Sequence, residues 1–443
     1  MKLWIVAGLV TLVCLGVYRP HHNAGFILDD FYTVVHNPLI KNPSLYRNIW
    51  SSRLYDANQS SGYIKFGYYR PVLQSSWILD YRLFGLNAAG YQWLNLFIHA
   101  FNCLLVYILC CQIFEQKTLA LKACLLFCVF PAQEWVVRYV TGRGDELSAL
   151  FALVSLLVLL RVFKTGNKNG YVPVFLFWAL SALTREVAIS YIFYAFLIYH
   201  SLNQRNLNRF CFWWVLIGLL PLLLIWSIIP KQGNILALHT LYFASIGFCL
   251  WMAQLRFRGV VLLFVFFAAI SVVQGRFWTT EKVLLRHIRS LEWWPGTVAD
   301  QQLLMKYDDD IQGIKGMVDQ SQDPLIKAMW LRRLGVVYFE HRDFFSAQVY
   351  FNQALIYNPL DVDALDALAV LSHYSQQEAE SLKYLDRALK INPAYPDTLR
   401  TLGVYYYLQK DFPQARTFLS RCLFFEPDNA QARDLLGLAR QAN

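Results

Sequence analysis

Apolar residues run in long, almost unbroken stretches through the first 275 residues, and after about residue 325 they recur at helical intervals between polar ones. The two patterns predict two kinds of helix. A spanning helix needs roughly 17 to 25 apolar residues. On that criterion the first part holds about nine spans, near 3–18, 91–114, 118–137, 146–163, 171–184, 187–202, 210–229, 235–253 and 259–275. The first reads as a retained anchor, because Gly16-Val17-Tyr18-Arg19-Pro20 offers no small-residue cleavage site. Between the first two spans lies a loop, 19–90, whose Tyr46, Trp50, Tyr68 and Tyr69 suit helices lying at a membrane surface.

The second part repeats itself. Pro359, Pro393 and Pro427 are spaced by 34 residues, as are Leu334, Leu368 and Leu402, and Ala354, Ala388 and Cys422. That period with small, aromatic and proline positions is the tetratricopeptide signature. Leu334-Gly335 with Tyr338, and Leu402-Gly403 with Tyr406, mark first and third copies; Ala369 and Ser372 make the middle one weaker. The expected fold class is therefore all-α: a polytopic helix bundle (1–275), interfacial linker helices (276–324), and a soluble α-solenoid of three repeats plus a capping helix (325–443).

Composition supports the membrane reading. Hydrophobic residues make up 56% and charged residues 16% of the chain, which exceeds what an ordinary soluble domain carries. The net charge of +10 falls wholly in residues 1–324, since 325–443 hold 13 basic and 13 acidic residues. Lys117, Arg161, Lys164, Lys168, Arg205, Arg209, Arg256 and Arg258 occupy alternate loops, as a cytoplasmic N-terminus requires. This charge belongs to topology, and no nucleic-acid partner is expected. Eight of nine cysteines sit in apolar runs, where they serve as small hydrophobes rather than a disulfide framework.

Carboxylates gather on the opposite, non-cytoplasmic face. Asp29 and Asp30 form an adjacent pair shortly after the first span, where one aspartate would suffice as a helix cap. The same face collects Glu134 and Arg138, spaced as an i, i+4 ion pair, then Arg143, Asp145 and Glu146, and then Arg185 and Glu186. Asn95, His99 and Asn102 share one stripe of the second span, facing the bundle either as interhelical glue or as a substrate lining.

Phe130-Pro131-Ala132-Gln133-Glu134 followed by Thr141-Gly142-Arg143-Gly144-Asp145-Glu146 resembles a paired motif of the transmembrane and tetratricopeptide-repeat O-mannosyltransferases, members of the GT-C glycosyltransferase superfamily. In the same order, Asp29-Asp30, Tyr69-Arg70-Pro71, Asn95 to Asn102, Arg185-Glu186 and Leu241 to Phe248 resemble further segments of that family. The chain departs from it at Phe130, where the family has histidine, at His239, near an expected arginine, and in carrying only three repeats. The resemblance implies a polyprenyl-phosphate sugar as donor and a hydroxyl acceptor, a protein in the first reading, on the outer face of the membrane.

Such a donor expels a good anion, so one base is enough, in contrast to the carboxyl pair of a glycosidase. Asp29 or Asp30 is the expected base, with inversion at the anomeric carbon; the other carboxylate orients the acceptor or binds a divalent metal. Arg143 and Arg185, then Arg138 and His239, are the expected donor-phosphate contacts, supported by Glu134, Asp145, Glu186, His99, Tyr69 and Arg70. Arg332, Phe339, Asp366, His373, Arg400 and Tyr407 are expected to line an acceptor groove in the repeats. The membrane is a bacterial inner membrane with periplasmic repeats, or an endoplasmic reticulum membrane with lumenal ones. Two other readings stay open: a non-catalytic scaffold that anchors the repeats, and the same enzyme class acting on a glycan or lipid.

Overall fold

The computed structural model describes residues 2–20, 24–27, 30–35, 37–51, 68–203, 206–228, 241–278, 311–321 and 323–442. Asp29, His239 and the expected linker between 279 and 310 lie outside them. The described residues are helical, with no strand among them. They fall into two compact units, one of Met1–Phe31 with Tyr69–Thr297 and the other of Tyr32–Tyr68 with Val298–Asn443.

The first unit is a bundle built from α1 (Leu3–Tyr18), α2 (Pro71–Phe84), α3 (Ala88–Phe114), α4 (Lys117–Cys128), α5 (Arg143–Thr165), α6 (Tyr171–Thr184), α7 (Tyr191–Asn203), α8 (Leu207–Ile228), α9 (Leu241–Met252) and α10 (Phe257–Gly275). Among the described residues, Ala88–Phe114, Arg143–Thr165 and Phe257–Trp278 are long and apolar enough to cross a membrane; Lys117–Cys128 with Pro131–Val137 makes a fourth, bent by 49°, if counted as one span. Leu3–Tyr18 and Leu241–Met252 are apolar but shorter. By length and hydropathy, then, three or four spans are evident among the described residues, where the apolar runs of the whole chain predict about nine. Pro131 explains the bend, because it cannot donate a backbone hydrogen bond to continue α4. α3 begins at Ala88 under an Asn87 cap that accepts from the Ala89 N–H, three residues ahead of the expected start.

The second unit is the solenoid. Three helical hairpins, Pro324–Glu340 with Phe344–Tyr357, Val362–Tyr374 with Glu378–Ile391, and Pro396–Leu408 with Phe412–Phe425, are followed by Ala430–Gln441. Gly335 and Gly403 let the paired helices touch: a Cβ would lie 2.7 Å from the Phe351 ring in one hairpin and 2.5 Å from Leu419 in the other. Beside each contact two aromatic rings stack, Tyr338 on Tyr350 and Tyr406 on Phe418, at centroid distances of 5.2 and 5.5 Å. Asp323, Asp343, Asp361, Asp411 and Asn429 cap their helices through the side chain. A further regularity follows the same 34-residue step, as Arg387 and Arg421 donate to the carbonyls of Pro359 and Pro393.

Two features extend the array beyond residue 325. Ile311–Gln320 packs Ile314 and Val318 into a core shared with Trp330 and Leu331. The first-loop stretch Pro38–Trp50 also belongs to this unit: Lys41, buried, pairs with Asp428 at 3.1 Å, and Asn42 Nδ2 donates to the Phe424 carbonyl.

Candidate functional site

The segment between the bent span and α5 is held by its backbone. Gly142 sits so tightly that a Cβ would collide with the Trp135 carbonyl oxygen. This turn presents Thr141 to Asp30. Asp30 Oδ1 accepts from the Thr141 N–H at 2.9 Å and its hydroxyl at 2.7 Å, and Oδ2 accepts from the Ile27 N–H at 3.1 Å. Three of a carboxylate's roughly four lone-pair directions are thus in use. Asp30 is fully buried, and its bonds fix the first loop to the start of α5 across 111 positions of sequence.

Next to Thr141 the arginines part company. Arg143 is buried and held at each of its three nitrogens: Nε donates to Asn95 Oδ1 at 2.7 Å, Nη2 to the Tyr91 carbonyl at 2.8 Å, and Nη1 to Asp80. Arg138 pairs with Glu134 at 2.6 Å, as the i, i+4 spacing expects, and Nη2 reaches the Val17 carbonyl at 2.8 Å. Both guanidinium groups hold the bundle together rather than facing an opening.

Arg185 differs. Its Nη1 lies 2.7 Å from Asp145 Oδ2, while its Nε is buried without a hydrogen-bond partner among the described residues. The following residue, Glu186, takes a fork from Arg70, with Arg70 Nε at 3.0 Å from Oε1 and Nη2 at 2.8 Å from Oε2. Glu186 is 42% exposed through its side chain while Arg70 is only 10% exposed. Two arginines and two carboxylates therefore stand together where α2 begins, α5 begins and α6 ends. Tyr69, half-exposed, precedes Arg70.

The polar stripe of α3 divides the bundle's interior. Asn95 Nδ2 donates to the Tyr139 carbonyl at 3.0 Å, and Asn102 Nδ2 to the Glu146 carbonyl at 2.8 Å and to Tyr242 Oη at 3.1 Å. His99 places Nδ1 2.8 Å from Tyr242 Oη and Nε2 3.1 Å from the Cys128 carbonyl. These contacts have the character of interhelical glue. Spacing along the chain gives no sign of Asp80, although a lone carboxylate in Trp77-Ile78-Leu79-Asp80-Tyr81 was the available signal.

In the repeats, the residues expected to line a groove are largely engaged with neighbouring side chains of the solenoid. Arg332 reaches Asp361 at 3.1 Å and Asp363 at 2.7 Å; Arg400 reaches Gln431 and Asp397, each at 3.1 Å; His373 Nδ1 lies 3.0 Å from Glu378. Asp366 accepts from the Thr401 hydroxyl at 3.1 Å. Burial pushes the Asp366 carboxyl up to about 7, with Asp397 adding to the shift and Thr401 and Arg400 opposing it. Phe339 packs with Phe344 and Tyr374, and Tyr407 with Phe412.

A family model described as tetratricopeptide repeat matches residues 374–439. Among curated proteins, the chain is 27% identical over 220 residues to Protein O-mannosyl-transferase F38B6.6 of Caenorhabditis elegans, covering 46% of this chain and 30% of that protein. It is 29% identical over 181 residues to Protein O-mannosyl-transferase TMTC4 of Mus musculus, covering 38% and 24%, and 27% identical over 192 residues to TMTC3 of the same species, covering 41% and 20%. The chain is thus similar to protein O-mannosyl-transferases and carries tetratricopeptide repeats. The matched stretches span less than a third of those relatives' own lengths. Among solved structures, the first tetratricopeptide domain of Spaghetti (RPAP3), bound to an HSP90 peptide, matches 26% of this chain and 92% of its own at 21% identity, with a TM-score of 0.25.

Proposed function

We propose that this chain is an integral-membrane glycosyltransferase of the GT-C type, with about nine spans, that moves a sugar from a polyprenyl-phosphate donor to a protein hydroxyl on the non-cytoplasmic face. The observation that carries the reading is the pair of hydrogen bonds from Thr141 to Asp30. They tie Asp30 of the first loop to the segment whose Asp145 holds Arg185. The names of the relatives point to mannose and to a protein acceptor.

Residue roles follow from which groups are free to act. Asp30 has its oxygens engaged with Thr141 and Ile27, so its role is to position the loop. Asp29 is then the base. The acceptor oxygen attacks the anomeric carbon, its proton passes to the Asp29 carboxylate, the bond from that carbon to the donor phosphate oxygen breaks, and the polyprenyl phosphate leaves as an anion with inversion. Arg185, whose Nε has no hydrogen-bond partner among the described residues, is the donor-phosphate contact, since a guanidinium fork suits phosphate geometry, and Arg70 beside it stays paired with Glu186. Arg143 and Arg138 take structural roles in this reading, which shifts the phosphate site from the first expected arginine to the second. A divalent metal at the acidic pair is an additional element of the proposal, to be tested by chelation. The repeats recruit the acceptor polypeptide.

Reconstituting the full chain in vesicles with polyprenyl-phosphate mannose and other polyprenyl-phosphate sugars, and following donor consumption and glycan gained by acceptor proteins, tests this. Asp29→Asn is expected to lower turnover by about 10²- to 10⁴-fold, the usual contribution of a general base. Undiminished transfer by both Asp29→Asn and Arg185→Ala removes the catalytic assignment. Wild-type protein inert toward every donor favours the scaffold.

A further inference from the structure

Four side chains that the proposed transferase chemistry does not use meet in the middle of the bundle. Cys14 of α1, His99 and Cys103 of α3, and Cys128 at the end of α4 place one ligand atom each within 4.8 Å of all the others. All four are buried, His99 and the three cysteines at 0% exposure. Cys14 Sγ lies 3.2 Å from Cys128 Sγ, and Cys103 Sγ lies 3.7 Å from His99 Nε2. We propose that these residues form a structural Cys₃His site for a zinc ion.

The geometry and the ligand chemistry both favour zinc. Zinc in a tetrahedral site stands about 2.3 Å from sulfur and 2.0–2.1 Å from nitrogen, which puts neighbouring sulfurs about 3.8 Å apart and sulfur and nitrogen about 3.5 Å apart. The cysteine–histidine pair already has that separation, and the two closer sulfurs need to open by only about half an ångström. Three sulfurs and an imidazole select a soft ion, and four protein ligands with no open position make a closed structural site rather than a catalytic one.

The surroundings of His99 add an independent observation. A zinc-bound histidine commonly donates its other ring N–H to an outer partner, which fixes the tautomer. Here Nδ1 lies 2.8 Å from Tyr242 Oη. Asn102 donates to that oxygen, and a phenol oxygen can accept from His99 Nδ1–H as well. Nε2 is then free of its proton and lies 3.7 Å from Cys103 Sγ. The competing tautomer instead donates Nε2–H to the Cys128 carbonyl, so the two states differ by one proton position, and metal selects the first. Because the ligands are closed off from solvent, the ion enters as α1 docks on α3 and α4, and binding releases the thiol protons.

Purified full-length protein, expressed in zinc-containing medium and kept in detergent or nanodiscs, should carry about one zinc per chain by elemental analysis. Cys14→Ser, Cys128→Ser and His99→Ala should lose it, while Cys249→Ser and Cys211→Ser, buried cysteines outside the cluster, should retain it. Tyr242→Phe should keep the ligands but bind zinc about 10- to 100-fold more weakly. Because a ligand variant can fail to fold, the wild type supplies a second readout: cobalt substitution should give the intense visible bands and near-ultraviolet thiolate charge transfer of a tetrahedral sulfur-rich site. Wild-type protein without bound zinc, zinc lost equally with Cys249→Ser, a Cys14–Cys128 disulfide in the protein as purified, or octahedral cobalt spectra would each overturn the assignment.

Discussion

The membrane unit and the repeat unit bury polar groups by opposite strategies. In the bundle, buried charges are held mostly by partners far away in sequence, Arg143 by Asp80, 63 residues earlier, and Arg70 by the partly exposed Glu186, 116 residues later, with Arg138 and Glu134 a local pair. In the repeats, most of the buried surface is small residues and stacked rings, repeated at a fixed interval, and charges such as Arg332 with Asp363 lie on the flanks of neighbouring helices, with Lys41 and Asp361 buried exceptions. Each unit is therefore fragile in a different way. A bundle whose charges neutralise one another fails when one partner goes, because the survivor is left charged in an apolar interior. A solenoid spreads its stability over nearest-neighbour interfaces and yields locally.

Removing the buried charge with the most partners should have the largest effect. Arg143→Ala leaves Asp80, Asn95 Oδ1 and the Tyr91 carbonyl without their shared donor, a loss of the kind that costs about 3–5 kcal/mol for a buried pair. The expected outcome is little folded protein, seen as loss of the monodisperse peak in detergent gel filtration. Arg332→Ala removes a guanidinium that is 29% exposed through its side chain, and should leave that peak intact with only a modestly lower melting temperature. Equal losses in the two variants would erase the proposed contrast.

The same contrast can be sharpened with pH. Asp366 has its folded-state carboxyl raised to about 7, chiefly by burial, while in the unfolded chain it ionises near 3.9. Between those values the folded state binds the extra proton, so its contribution to stability is fully present below the unfolded value and is lost as pH rises through about 7. The loss amounts to a few kcal/mol at most, because each tenfold difference in proton affinity between the folded and unfolded chain is worth about 1.4 kcal/mol. Asp366→Asn should flatten that dependence and make the repeats relatively more stable at pH 8. Hydrogen exchange across Val362–Tyr374, followed between pH 5 and 8, reads it directly, and an identical pH profile in the variant would refute it.

These tests also mark how far the sequence could be read. The repeats were legible as equivalent units, since a period of 34 marks Leu334-Gly335 and Leu402-Gly403 as the same position in two copies, and the structure sets Gly335 against Phe351 and Gly403 against Leu419. Even so, the period said nothing of Ile311–Gln320, which joins the core without repeating the motif, nor of Lys41 and Asn42, which reach the last repeat from the first loop. In the bundle, local spacing revealed Glu134 with Arg138, but Arg143 and Arg185 looked equivalent. What separates them is Asp80 on α2, and no spacing rule links residues 80 and 143. Asn95, His99 and Asn102 were visible as one stripe, yet their partners Tyr139, Tyr242 and Glu146 come from other elements. The sulfur cluster was hidden for the same reason: each cysteine alone behaves as a small hydrophobe, and only packing brings three of them to one imidazole.

Glycine substitution carries the contrast into the repeats themselves at two smaller scales. Gly335→Ala forces a methyl group to within 2.7 Å of the Phe351 ring, an overpacking that should cost about 1–3 kcal/mol and lower the melting transition of the full chain. Gly437→Ala should do the reverse. Gly437 lies inside the helix Ala430–Gln441, and a Cβ there would meet nothing within 4 Å. With no contact to disturb, the remaining effect is on the unfolded chain, whose backbone freedom alanine reduces; the gain is about 0.5–1 kcal/mol. Slower hydrogen exchange in Ala430–Gln441 checks the sign, and destabilisation there would mean that the space around Gly437 is occupied in the folded protein.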